Sequence, residues 1–144
     1  HIMMRFAGGA KGMLWCSQVA TGLENNLKLR VFGTKAGIEW SQEDPNYLWV
    51  GPLGAPRYRL TRGGAGSGAA AARVTRIPPG HPEGYLEAMG NLYRDFAAAI
   101  RAGERGTPTG VPGIKAGMRG MAFIETVSSS QHSNEKWLSI PAID

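Results

Sequence analysis

With one cysteine in 144 residues, Cys16, the chain cannot close an intrachain disulfide and must be held by packing. The thiol falls in the apolar-rich stretch 13–20, where a small buried hydrophobe is expected. Long apolar runs are missing too. None approaches the roughly 20 residues that a membrane-spanning helix needs, and no secretory leader opens the sequence. The cytoplasm is therefore the expected compartment, with no membrane partner. Residues 1–4 read as a vector remnant, so His1 carries no argument. With that one set aside, His81 and His132 are far apart and no metal site is supported.

Charge of one sign is not concentrated either. Lys and Arg number 16 against 11 Asp and Glu, a formal charge of +5, but they are scattered along the whole chain. The nearest approach to a basic patch is Arg57, Arg59 and Arg62, with Arg73 and Arg76 further on. A nucleic-acid binder gathers such residues on one face beside stacking aromatics. Arg57 and Arg59, two apart, instead suit one solvated strand face, and no nucleic-acid partner is expected.

What is abundant is glycine, 21 residues, punctuating short alternating segments. Residues 5–62 read as a run of strands. Leu27, Leu29 and Val31 alternate with Lys28, Arg30 and Phe32, the period of two of a strand with one buried face. A turn at 34–37 leads to a second strand at 38–42. Earlier, Gly8 to Gly12 reads as a loop joining 4–7 to 13–20, and later 47–50 pairs with 57–61 around residues 51–56. Loops this short imply antiparallel pairing, because a parallel return needs a crossover of a dozen residues or more.

Residues 63–73 are rich in Gly and Ala and read as a mobile loop. Within them Gly66-Ser67-Gly68-Ala69-Ala70-Ala71 satisfies the G-x-G-x-x-G/A spacing. A dinucleotide fingerprint needs a strand before it, a long helix after it and an acidic residue about 20 positions on. Here Pro78-Pro79 leave little room for such a helix, and the flanking strands read as antiparallel, so no cofactor site is assigned.

Two helices follow. Pro82 fits a first helical position and Glu83 the positive end of a helix dipole, with Gly103 as the C-terminal stop. Between them Tyr85, Met89, Leu92, Phe96 and Ile100 form one apolar stripe. The second helix is expected over about 112–129, with Ile114, Met118, Met121, Phe123, Ile124 and Val127 on its buried side. Gly117 and Gly120 would admit a closely approaching backbone. A last strand is expected at 136–140, stopped by Pro141. Residues 5–144 thus read as one α+β domain, an open and predominantly antiparallel sheet with two helices packed on one face. Leu14, Trp15, Phe32, Trp40, Leu48 and Trp49 are more large side chains than one helical layer covers. The other face is expected to mediate homo-oligomerisation.

Several segments in order resemble one family. They are Gly9-Ala10-Lys11-Gly12 with 15–22, then 24–33, 37–40 with Gln42-Glu43-Asp44-Pro45-Asn46, and Gly80-His81-Pro82-Glu83-Gly84-Tyr85 with 91–96. Gly117-Met118-Arg119-Gly120-Met121-Ala122-Phe123-Ile124-Glu125 and Lys136-Trp137-Leu138 complete the set. Together they resemble the C-terminal domain of the Gfo/Idh/MocA oxidoreductases, the glucose–fructose oxidoreductase and inositol dehydrogenase group. The resemblance implies a missing Rossmann domain that binds NAD or NADP, oligomerisation through the open sheet, and a sugar pocket lined by the sheet edge. The family's Glu-Lys-Pro motif is missing from these residues, and no histidine has Asp four positions before it.

The resemblance therefore implies a substrate-binding and oligomerisation domain of an NAD(P)-dependent sugar or polyol oxidoreductase, holding no cofactor itself and inactive alone. Two alternatives are a stand-alone sugar or polyol binding module and one half of a split oxidoreductase completed by a separate Rossmann chain. His81, Glu83 and Tyr85 are the candidate substrate-binding residues, with no catalytic, cofactor-binding or metal residues. His81 has two readings, a wall of the pocket or merely a cap on the helix that follows.

Overall fold

A computed structural model describes residues 1–103 and 110–143. The chain is α+β and divides into two compact units, His1–Thr21 with Asp95–Asp144, and Gly22–Arg94.

The second unit is built on four antiparallel strands, β3 (Lys28–Phe32), β4 (Ala36–Ser41), β5 (Tyr47–Pro52) and β6 (Tyr58–Thr61), in the order β3-β4-β5-β6. Residues directly opposite across an antiparallel pair share a face, so the register sorts the side chains. Leu29, Trp40, Leu48 and Leu60 form one cross-sheet row, and Val31, Ile38, Val50 and Tyr58 the next on the same side. The opposite face carries the row Arg30, Glu39, Trp49 and Arg59, flanked by Phe32 over Gly37 and Gly51 and by Tyr47 beside Thr61. Of the large side chains expected to share one spare face, Trp40 and Leu48 thus lie on one side, and Phe32 and Trp49 on the other. The indole N–H of Trp40 donates to the Pro45 carbonyl at 3.1 Å, which holds the β4–β5 loop.

The stretch expected to be a loop at 63–73 contains a helix, α1 (Ala69–Val74). The glycines before it masked a run of four alanines, the residue of highest helix propensity. Gly66 needs its glycine: φ is +86° and a Cβ there would lie 3.2 Å from Leu60 Cδ2. The chain therefore passes close over the Leu60 side of the sheet.

Helix α2 (Tyr85–Arg101) begins three residues later than Pro82 suggested. The Gly84 N–H donates to Glu87 Oε2 at 2.7 Å, and Gly103, at φ +65°, ends the last turn with its N–H on Ile100 O. The delay has a cause in Glu83, whose N–H is given to Asn46 Oδ1 at 3.0 Å.

In the first unit, β1 (Ile2–Arg5) and β2 (Lys11–Leu14) form an antiparallel hairpin that takes up the opening residues read as a remnant. The strand expected over 13–20 stops at Leu14, and Cys16 beyond it is exposed rather than buried. Helix α3 (Ile114–Ser130) matches its expected span closely. Residues 136–140 form no strand. Trp137 instead lies under the Arg5 guanidinium, 3.9 Å from the ring centroid, a cation–π contact that uses the ring without backbone pairing.

Little of this is buried. Among the described residues the only buried hydrophobic side chains are Ala99 and Ala122. Met89, Leu92, Phe96 and Ile100 on α2 are exposed, as are Ile114, Met118, Met121 and Ile124 on α3, where only Phe123 and Val127 are partly covered. A Cβ on Gly117 or Gly120 would meet nothing within 4 Å, so among the described residues no backbone takes the close approach those glycines permit. The accessible area is 11725 Å².

Candidate functional site

The residues expected to bind substrate lie on the loop that leads into α2, and the structure shows what holds that loop. Arg62 follows β6 and falls on the same alternation phase as Leu60, on the apolar side of the sheet. A cation there needs an acid, and Glu83 supplies it, with Arg62 Nη1 3.0 Å from Glu83 Oε1. The same oxygen accepts the backbone N–H groups of Arg76 at 2.7 Å and Ile77 at 2.8 Å. Arg62 Nε donates to Asn46 Oδ1 at 2.9 Å, and its guanidinium also donates to the carbonyls of Ile77, at 3.1 Å, and His81.

Glu83 is 7% exposed, the only buried polar or charged residue among those described. Its burial opposes ionisation, but the N–H groups of Ile77 and Arg76 and the positive charges of Arg62 and Arg76 outweigh that effect. The carboxyl is held below its ordinary range. Glu87 is lowered as well, first by the hydrogen bond from the Gly84 N–H. Both are carboxylates at neutral pH.

His81 and Tyr85 are placed differently. Both side chains face solvent, Tyr85 at 69% exposure. His81 does not cap α2. Its Nδ1 lies 3.3 Å from the Pro78 carbonyl, three residues back, and the carboxylate that meets the start of the helix is that of Glu87. Glu83 is turned inward and His81 outward from one loop. Arg62 and Asn46 were missed as members of this site because Arg62 was counted with Arg57 and Arg59 as a surface cation. The signal was its phase, two residues from Leu60.

Arg57 and Arg59 do share the opposite sheet face, and they are partnered there. Arg57 sits 4.5 Å over the Trp49 ring and 3.6 Å from Glu39 Oε2, while Arg59 lies 3.8 Å over the Tyr47 ring. Beside them Phe32, 78% exposed, and Trp49 border a hollow of about 180 Å³ floored by Gly37 and Gly51. Among the described residues no group of His, Cys, Asp and Glu could hold a metal ion, and no helix is long and apolar enough to cross a membrane.

Comparison with known proteins gives this geometry a context. The family model for "Oxidoreductase family, C-terminal alpha/beta domain" of the Gfo/Idh/MocA group matches residues 1–140. An uncharacterized oxidoreductase, YfiI, of Bacillus subtilis is 32% identical over 143 residues, covering 96% of this chain and 36% of its own length. Among solved structures, an oxidoreductase from Sinorhizobium meliloti is 55% identical with a TM-score of 0.84, over 91% of this chain and 37% of that one. An inositol dehydrogenase homolog from Azotobacter vinelandii, complexed with NADH and myo-inositol, is 39% identical with a TM-score of 0.81, over 91% and 36% respectively. The chain thus spans little more than a third of the length of these relatives.

Proposed function

Because this chain belongs to the Gfo/Idh/MocA oxidoreductase family, as its C-terminal alpha/beta domain, we propose that it is the substrate-side and self-associating part of an NAD-dependent polyol or sugar oxidoreductase. The observation that carries the self-association is the sheet face of Phe32, Tyr47, Trp49, Arg57 and Arg59. Aromatic residues and arginine are the types enriched at the centres of protein interfaces, and here they are preassembled by stacking. A second copy related by a two-fold axis would cover the face with the same residues.

The polyol reading is supported by the inositol dehydrogenase homolog that holds myo-inositol, and by an exposed imidazole and phenol on a braced loop. In the enzyme NAD accepts the hydride. The residues of this chain do not fit the dinucleotide: Gly66 to Ala71 lie between an antiparallel edge strand and a six-residue helix, not in a strand–turn–long-helix cradle. Hydride transfer is therefore assigned to a dinucleotide-binding domain, and this chain binds and orients the polyol.

The test is NADH formation from a polyol panel, myo-inositol first, by the chain alone and by the chain supplied with a family dinucleotide-binding domain. NADH is expected only in the second case. Turnover by the chain alone, or by neither, would overturn the reading.

A further inference from the structure

We propose that Arg62 and Glu83 form a positioning clamp that fixes the loop of residues 76–83 so that His81 presents Nε2, in one orientation, to a polyol hydroxyl. The inference rests on the substrate-side reading given above.

Every inward-facing polar group of this loop that meets the pair is a backbone group. The N–H groups of Arg76 and Ile77 go to Glu83 Oε1, and the carbonyls of Ile77 and His81 go to the Arg62 guanidinium. Asn46 closes the ring by accepting from both Arg62 Nε and the Glu83 N–H. The pair therefore fixes the path of the main chain and leaves the side chains on the outer side free. Pro78, Pro79 and Pro82 each lock φ, and Gly80 takes φ +88°, so the loop has few other conformations.

The consequence falls on His81. Its carbonyl is held by Arg62, and its Nδ1 faces the Pro78 carbonyl, which can only accept. That leaves Nε2 as the ring nitrogen directed away from the main chain. On an exposed side chain, that nitrogen is the one that can hydrogen-bond an alcohol hydroxyl. A buried ion pair seldom stabilises more than a well-packed apolar pair of equal volume, so stability alone does not account for this one. Directional hold on four main-chain groups does, because apolar side chains could fill the space without fixing those groups.

The test has two arms. On the 144-residue chain, imidazole 13C relaxation should show His81 ordered in the wild type and mobile in Glu83→Gln and Arg62→Lys. In the chain completed by a dinucleotide-binding domain, His81→Ala should raise KM for myo-inositol by roughly 5- to 10-fold, one hydrogen bond's worth, without raising KM for NAD. Glu83→Gln should raise the polyol KM similarly, and the double variant should add nothing further, since both remove the same interaction. If His81 stays ordered in Glu83→Gln, or if the two KM effects multiply, the clamp is wrong. If His81 becomes mobile but His81→Ala leaves the polyol KM unchanged, the clamp orders the loop and the substrate-side reading of His81 is what fails. A fall in kcat with both KM values unchanged in Glu83→Gln would reduce the pair to a structural brace and overturn the proposal.

Discussion

Replacing Glu83 with alanine removes one acceptor from three donors at once and strands a cation. The Arg76 and Ile77 N–H groups lose their partner, and the Arg62 side chain, 16% exposed, keeps its charge beside an empty volume. Breaking a buried pair from one side costs about 3–5 kcal/mol, a large part of the ~5–15 kcal/mol that holds a domain together. The expected fall in Tm is roughly 10–15 °C. Thermal melts followed by tryptophan fluorescence measure it, urea titrations give the free-energy cost, and pH supplies an independent signature. The folded Glu83 carboxyl is held below its ordinary value of 4.5 despite burial, by the Ile77 and Arg76 N–H groups and by Arg62 and Arg76. Its contribution is therefore complete above pH 4.5 and is lost as pH falls through the lower folded value. Wild type should lose stability over that range faster than Glu83→Ala, so the gap between them narrows in acid. A loss below about 1 kcal/mol at neutral pH, or a gap that does not narrow, would refute the reasoning.

Three other outcomes follow from the same geometry. Replacing both partners, Arg62→Met with Glu83→Leu, leaves no stranded charge and should be far milder than Glu83→Ala, neutral or stabilising by up to about 4 kcal/mol in the same melts. Gly63→Ala should cost about 1–2 kcal/mol, because φ there is +68° and the new Cβ would lie 3.1 Å from Thr75 Cγ2. Disrupting the stack on the open face with Arg57→Ala should change Trp49 fluorescence and cost no more than about 1 kcal/mol, since the Arg57–Glu39 pair is largely solvated.

Much of the fold was legible because alternation and helical periodicity are local. The strands of 28–61 and helices α2 and α3 emerged close to their observed spans. The misses have particular causes. Four alanines behind a glycine run hid α1, and Trp137 answered to Arg5 rather than to a neighbouring strand. Cys16 and both helix stripes, expected to be buried, are largely exposed, because an apolar period marks a face and not what covers it. At the candidate site, the segment containing His81, Glu83 and Tyr85 stood out by resemblance, but the division of labour within it did not. That Glu83 turns inward depends on Arg62 and Asn46, 21 and 37 residues earlier. Long-range pairing of this kind leaves only a faint trace in one sequence, here a cation in the wrong phase of a strand.

The proposed docking of a second copy places it on the aromatic and arginine-bearing sheet face. Sedimentation velocity at micromolar concentration, comparing wild type with Phe32→Lys, tests it directly, since Phe32 is 78% exposed and its replacement should leave the fold intact. Wild type should sediment as a dimer or larger assembly and the variant as a monomer; a monomeric wild type would rule out the docking face.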